Sequence, residues 1–282
     1  MLAGRFQRAR KNLMSKSITD FYAKNTNKEW TRLERHPLEF PITYRHINEI
    51  IGNDKFVIAD IGGGPGRYSI ELSKSGNEVT LVDLTPENIE FAKNKANELN
   101  IPINNFIVGD ARKLISLSDN RFDLTLLLGP LYHLLDHNDR IQAINEALRI
   151  TKKNGIVFLG FISRYAPIYD LLKRIPEEQN IRIEHIKEMY QKTNNINVFE
   201  NNGFTDAHFM DPTEIDELLK NFNIELVKKF GAESIMSQSD FKLKDLNKDE
   251  FNKWLDFGYE LSTHQAGVLG SEHIICVIRK IS

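Results

Sequence analysis

One cysteine, Cys276, occurs in 282 residues. No internal disulfide can form, and the chain suits a reducing, cytoplasmic compartment. Cys276 lies in the apolar run Ile274 to Ile278 and reads as core packing. No apolar run approaches the length of a membrane-spanning helix, so no membrane association is expected. Neither charge sign is in excess: 37 Lys and Arg stand against 39 Asp and Glu, a formal net charge of −2. That balance argues against a dedicated nucleic-acid or membrane-surface binder. Internal repeats and low-complexity tracts are absent. No residues have the spacing of a metal site. Asp136, His137 and Asp139 lie close together but read as a solvated helix start, so no metal is expected. A carboxylate-held magnesium site leaves no such signature and stays open. The first sixteen residues hold Arg5, Arg8, Arg10, Lys11 and Lys16 with no acid. They lack the continuous apolar segment of a secretory signal and read as a disordered basic tail over 1–19.

What is present centres on Phe56 to Gly66, a short apolar strand that ends in Asp60 and breaks into a glycine-rich turn. Val57, Ile58 and Ile61 suit a buried parallel strand. Arg67 to Ser75 reads as a helix closed by Gly76. A strand, a glycine turn and a helix start form a nucleotide-type pocket at the carboxyl edge of a sheet. A dinucleotide pyrophosphate wants Gly-x-Gly-x-x-Gly, with its phosphates on the helix N-terminus. Here the spacing is Gly62-x-Gly64-x-Gly66, and starting from Gly64 the third glycine position is Ser69. Asp60 beside the turn would repel a pyrophosphate and suits a cationic ligand. Glu78 to Asp83 reads as a second strand ending in an acid, able to accept hydrogen bonds from a ribose diol. Asn105 to Ala111 reads as a third strand ending in Asp110, an acceptor for an adenine amine, with the Ala111 amide beside it. Three acids at three successive strand ends point to a ligand bearing adenosine and positive charge.

These segments resemble the class I S-adenosylmethionine-dependent methyltransferases, through Asp60 to Gly66, Leu81 to Thr85 and Gly109 to Ala111. Phe122 to Leu134 looks like the family's fourth strand and following loop. Ala147 to Gly155 looks like its helix and turn before strand five, with Asn154-Gly155 where the family usually has Pro-Gly. The likeness is to bacterial small-molecule methyltransferases and covers roughly residues 20 to 282. It implies an α/β fold: a Rossmann-like, doubly wound, seven-stranded, mostly parallel sheet with an antiparallel last strand. The core is expected over 56–161 and 211–282, with an N-terminal helical lid over 20–55 and a substrate cap insertion over 162–210 after strand five. The implied cofactor is S-adenosyl-L-methionine, with S-adenosyl-L-homocysteine as product. Cofactor contacts are expected at Asp60, Gly62, Gly63, Gly64 and Gly66, then at Asp83, Leu84, Asp110 and Ala111, and at Leu128 and Gly129 after strand four. From the lid, Tyr22 is expected over the sulfonium and Arg35 on the methionine carboxylate or a substrate anion, with His36 beside it.

Within the core, Thr85-Pro86-Glu87 reads as a helix start with Thr85 as cap. Asp211-Pro212-Thr213-Glu214 matches a capping box, and Asn247 with Glu250 caps another helix. In the insertion, helices are expected around Tyr165 to Arg174 and Ile181 to Gln191.

Transfer of a methyl from a sulfonium mainly requires alignment, and a base helps only where the nucleophile carries a proton. His133, in Gly129-Pro130-Leu131-Tyr132-His133, is the candidate catalytic residue. Tyr132, His133, Arg164 and Tyr165 are expected to bind substrate; His208 and Phe209 in the insertion are further candidates, while His264 and His273 read as structural. The polar-Pro-Pro-aromatic loop of enzymes that methylate base amines is missing, which argues against DNA adenine methylation. A small-molecule acceptor is expected, on a monomer or homodimer. Two other readings stay open: a nicotinamide-dependent oxidoreductase, and a non-catalytic S-adenosylmethionine-binding regulatory protein.

Overall fold

Alternating faces on each strand divide the apolar residues between two layers of helices. On β1 (Val57–Ile61), Ala59 and Ile61 face one core and Ile58 the other. The computed structural model describes residues 17–32, 36–173, 184, 187, 195–196 and 207–282. Helix α1 covers 17–32. Then come α2 (Glu39–Ile51), β1, α3 (Arg67–Lys74), β2 (Glu78–Asp83), α4 (Pro86–Glu98), β3 (Asn105–Val108), β4 (Phe122–Leu127), α5 (Pro130–His133), α6 (His137–Ile150) and β5 (Thr151–Ser163). Helix α7 (Ala166–Lys173) leads to two short strands, β6 (Asn195–Ile196) and β7 (Ala207–Met210). Strands β8 (Ile224–Gly231) and β9 (His273–Lys280) complete the sheet.

Strands β1 to β5 are parallel in the order β3-β2-β1-β4-β5. Strand β9 runs antiparallel beside β5 and pairs with β8. Those seven strands form the expected doubly wound sheet. Order reverses between β1 and β4, and the crevice above that switch is where such sheets bind ligands. Two further strands come from the expected insertion: β7 pairs with the end of β5 at Ile162↔Phe209 and Ser163↔Met210, and β6 pairs with β7. Apart from residues 184 and 187, the expected helix Ile181 to Gln191 lies outside the described residues, as does most of 174–206.

One core packs α6 and the helix Pro212–Leu219 against the sheet through Ala143, Ile144, Ile215 and Leu218. The other packs α2 and the helix Lys248–Ser262 through Ile42, Ile47 and Leu255. No described helix is long and apolar enough to cross a membrane.

The Asp211 capping box forms, and the Asn247 side chain caps its helix. Thr85 differs from expectation: its side chain makes no cap bond, and its Oγ1 is buried without a partner. The Thr85 amide itself donates to Asp83 Oδ1 at 2.9 Å. Strand three stops at Val108, short of Asp110, which turns back to bridge Lys113. Asn154-Gly155 makes no turn ahead of strand five. Helix α6 runs straight into β5, and Asn154, at φ 63°, lies where the β4–β5 register shifts. Asn tolerates this left-handed conformation.

Gly160 on β5 lies against β4: an added Cβ would stand 2.4 Å from the Leu128 carbonyl oxygen. Replacing glycine by alanine in a strand ordinarily stabilises. Gly160→Ala is expected to do the reverse, lowering stability by about 1–3 kcal/mol through overpacking. A fall in urea midpoint at unchanged slope is the measurement.

Candidate active site

Above the switch point lies a cavity of about 590 Å³, walled by the ends of β1, β2 and β4, by the loops that follow them and by α1. That volume is typical of a site for a cofactor or other small molecule. At the end of β1, Gly62 and Gly64 hold φ of 69° and 56°, a conformation that costs side-chain-bearing residues energy. A Cβ at Gly62 would sit 2.4 Å from Pro130 Cγ, and one at Gly63 2.5 Å from Asp60 Oδ2. The turn is tied to the neighbouring strand. Gly62 N–H donates to the Val82 carbonyl at 2.7 Å, and Gly64 N–H to Asp83 Oδ2 at 2.8 Å. Gly66, expected on the cofactor, is the left-handed residue that opens α3 and does not line the cavity.

All three expected acids reach the cavity. Asp60 is buried, accepts from Ser69 Oγ at 2.7 Å, and has its pKa pushed up to about 6 by burial, against the pull of the Ser69 hydrogen bonds. Asp83 accepts from Gly64, from Thr85 N and, at 3.1 Å, from Asn88 Nδ2; burial raises its pKa. Asp110 differs in being paired already. Arg112 donates to it through Nε and Nη2 and reaches Asp139 at 2.9 Å with Nη1. Burial works to raise the Asp110 pKa, but the Arg112 hydrogen bonds hold it below the ordinary value. Asp139, read in the sequence as solvated, is therefore a buried partner of Arg112, while Asp136 caps α6. Leu84, Ala111, Leu128 and Gly129 line the cavity.

Across from these acids, Tyr22 on α1 meets the loop after β4. Its hydroxyl lies 2.7 Å from His133 Nε2, and the Tyr132 ring stands 4.6 Å from the His133 ring. Burial raises the pKa of both Tyr22 and Tyr132, so both phenols keep their protons at neutral pH.

The far wall was not read from the sequence. Arg32 on α1 holds Glu39 at the start of α2 with two bonds of 2.6 and 2.8 Å, and holds Glu29 with a third. His273 Nδ1 lies 2.5 Å from Glu233 and 3.9 Å from Glu39. Burial would lower the His273 pKa, but the two glutamates raise it to about 9. Glu39, although buried, is brought down to about 2 by Arg32 and His273. Glu39, Glu233 and His273 bring three metal-ligand-type atoms within 4.8 Å of one another. Arg32 and the His273 proton already balance their charge. His273, read as structural, is thus part of the cavity wall. No local motif could have announced this group, because its members come from α1, α2, the segment after β8, and β9.

Several expected contacts lie elsewhere. Arg164 and Tyr165 do not line the cavity: the Arg164 amide donates to Met210, and the Tyr165 hydroxyl is 3.5 Å from Asp211. Past Ser163 the chain turns toward β7, which carries both away from the crevice. His208 and Phe209 belong to β7, where Phe209 packs with Ile162; burial pushes the His208 pKa down to about 3. His36 stands 3.8 Å from Asp240, outside the cavity, and His264 precedes the helix Gln265–Leu269. Arg35 lies outside the described residues.

A methyltransferase-domain family model matches residues 59–159, which span β1 through β5 and every acid-ended strand described above. Residues 59–159 are thus a methyltransferase domain. The methyltransferase is 27% identical over 201 residues to a ubiquinone biosynthesis O-methyltransferase of Rickettsia canadensis, covering 71% of this chain and 74% of that one. Its fold is similar to that of magnesium protoporphyrin IX methyltransferase from Synechocystis with bound S-adenosylhomocysteine. There the TM-score is 0.57 at 11% identity, over 95% of this chain and 99% of that one. A Methanosarcina mazei S-adenosylmethionine-dependent methyltransferase gives 0.54 at 19% identity, over 80% and 93% of the two chains. Its cofactor is S-adenosylmethionine, and the acid-lined, phosphate-averse turn of the methyltransferase fits that cation. The nicotinamide reading falls away.

Two outcomes are expected. Asp83→Ala removes a buried carboxylate with three protein donors and is expected to weaken S-adenosylhomocysteine binding by at least about tenfold in calorimetry. Asp60 supplies a pH dependence. Its proton is held to about pH 6, above the ordinary 3.8, whereas a neighbouring ammonium favours the carboxylate. Affinity for S-adenosylhomocysteine is therefore expected to fall as pH drops through about 6 and to be flat between pH 5 and 8 in Asp60→Asn. In the ligand-free fold the sign reverses: ionising Asp60 costs stability as pH rises through about 6.

Proposed function

We propose that this enzyme methylates a hydroxyl oxygen of a small molecule, with His133 receiving the acceptor's proton. The observation that carries the reading is the 2.7 Å contact of Tyr22 Oη with His133 Nε2 at the cavity wall, where the loop after β4 begins. S-adenosylmethionine supplies an activated methyl, so the chain's task is alignment and proton removal. Asp83 takes the ribose diol, Asp110 and Ala111 the adenine, and Asp60 with the glycine turn the methionine portion. His133 takes the hydroxyl proton, directly or through the Tyr22 hydroxyl, as the acceptor oxygen forms its new bond to the methyl. Tyr132 and the Arg32–Glu39–His273 wall bound the acceptor. The oxygen assignment draws support from the O-methyltransferase relatives; the apolar Gly160 and Ile275 beside His273 suit a compact organic acceptor.

Labelled S-adenosylmethionine incubated with a metabolite extract tests this. The product is expected to be a methyl ether. His133→Ala is expected to lower kcat by about 10²–10⁴-fold, the usual contribution of a positioned base, with S-adenosylhomocysteine affinity within about twofold of wild type. A variant that keeps its kcat, or a product methylated on nitrogen, would overturn the reading.

A further inference from the structure

Three arginines line the cavity. Two are committed to carboxylates: Arg32 to Glu29 and Glu39, Arg112 to Asp110 and Asp139. Arg67 is different. It is the first residue of α3, directly after Gly66. No carboxylate pairs with it among the described residues, and its Nε is shut off from solvent with no hydrogen-bond partner. Its guanidinium carbon lies 4.9 Å from the centre of the Trp30 ring and 5.5 Å from that of Phe40. Aromatic faces attract a cation but accept few hydrogen bonds, so the bracket fixes the guanidinium while leaving its donors uncommitted. A charged donor kept from water without a partner is costly. A cation held this way beside a ligand cleft is organised to receive an anion, and a guanidinium matches a carboxylate with two parallel bonds.

The cofactor brings one anionic group, the α-carboxylate of its methionine portion. Asp60, Asp83 and Asp110 all repel that group, and Arg32 and Arg112 have no free charge to offer it. We propose that Arg67, held between Trp30 and Phe40, is the residue that receives the cofactor's α-carboxylate. The assignment rests on the S-adenosylmethionine reading of the glycine turn. It also gives α1 and α2 a part in cofactor binding, since each contributes one ring of the bracket. Without them the same arginine would be a solvated side chain at a helix start.

Removing the carboxylate from the ligand and the guanidinium from the protein, singly and together, tests the pairing. The probes are S-adenosylhomocysteine and its decarboxylated counterpart, 5′-S-(3-aminopropyl)-5′-thioadenosine, titrated by calorimetry into wild type, Arg67→Met, Arg67→Lys and Arg35→Met. Wild type is expected to prefer S-adenosylhomocysteine by about 10–100-fold, as for one charge-assisted pair. Arg67→Met, whose unbranched side chain still fills the space between the rings, is expected to bind both probes within about threefold. Arg67→Lys is expected to fall between, and Arg35→Met to keep the wild-type preference. Arg67→Gln replaces Arg67→Met should thermal melting show the latter unfolded. The proposal is overturned if Arg67→Met or Arg67→Gln keeps the wild-type preference, if the preference disappears in Arg35→Met instead, or if wild type does not distinguish the probes. Wild type binding neither probe would remove the assignment together with the cofactor reading.

Discussion

Asp83 is the joint on which the site hangs. One carboxylate oxygen holds the glycine turn after β1 through the Gly64 amide; the other holds the start of α4 through Thr85 and Asn88. Both loops at the switch point are thereby referred to the end of β2, itself fixed by the β1–β2 register. A buried carboxylate with three donors leaves little slack, since each donor would be costly to leave unpaired. The turn is thus shaped before any ligand arrives, and binding loses less freedom. The same joint sets the electrostatics. Asp60 lies under the turn close enough for the charge of Asp83 to raise its pKa further, so this corner resists a second negative charge and rewards a positive one.

What could be read in the sequence was what depends on near neighbours. The β1 strand, the glycine turn and the acid at the end of β2 are contiguous, and each residue type is forced locally: β-branched residues for the strand, glycine for positive φ. The Asp211 and Asn247 caps were readable because a cap and its amides lie within three residues. The cap at Thr85 failed for an instructive reason. Its hydroxyl is buried without a partner, and Asp83, two residues earlier, draws the Thr85 amide to itself and the Asn88 side chain with it. Asp110 lines the crevice, but Arg112 beside it was not recognised as its partner. Strand five began earlier than its apolar run because Lys152 to Gly155 stay in the sheet by bulging. Arg164 and Tyr165 were misjudged because direction after a strand depends on where the next segment docks, here at β7.

The cavity wall was illegible for a different reason. Arg32, Glu39, Glu233 and His273 belong to four segments, and no local pattern pairs them. Arg67 sat in plain view after Gly66, yet its significance depends on Trp30 and Phe40, which arrive from a segment that the sequence identifies only as a helical lid. One chain carries the propensity of each helix but not its docking angle.

The two ends of the cavity solve opposite problems. At the end beside the glycine turn, carboxylates are left to act on a ligand, and burial raises Asp60 and Asp83 toward neutrality. At the other end charges are matched internally: Arg32 with Glu39, His273 with Glu233 and Glu39. A buried ion pair adds little stability against a hydrophobic alternative, but removing one member leaves the other uncompensated. The group therefore persists as a unit and fixes position more than it stabilises. Its consequence falls on α1. That helix is tied near its start by Tyr22 to His133 and at its end by Arg32 to Glu39. Two anchors ten residues apart fix both the height and the rotation of a helix that carries few buried apolar side chains of its own. The His133 side and the glutamate wall are thus held in one frame. Trp30, two residues before Arg32, owes its place over Arg67 to the same anchor.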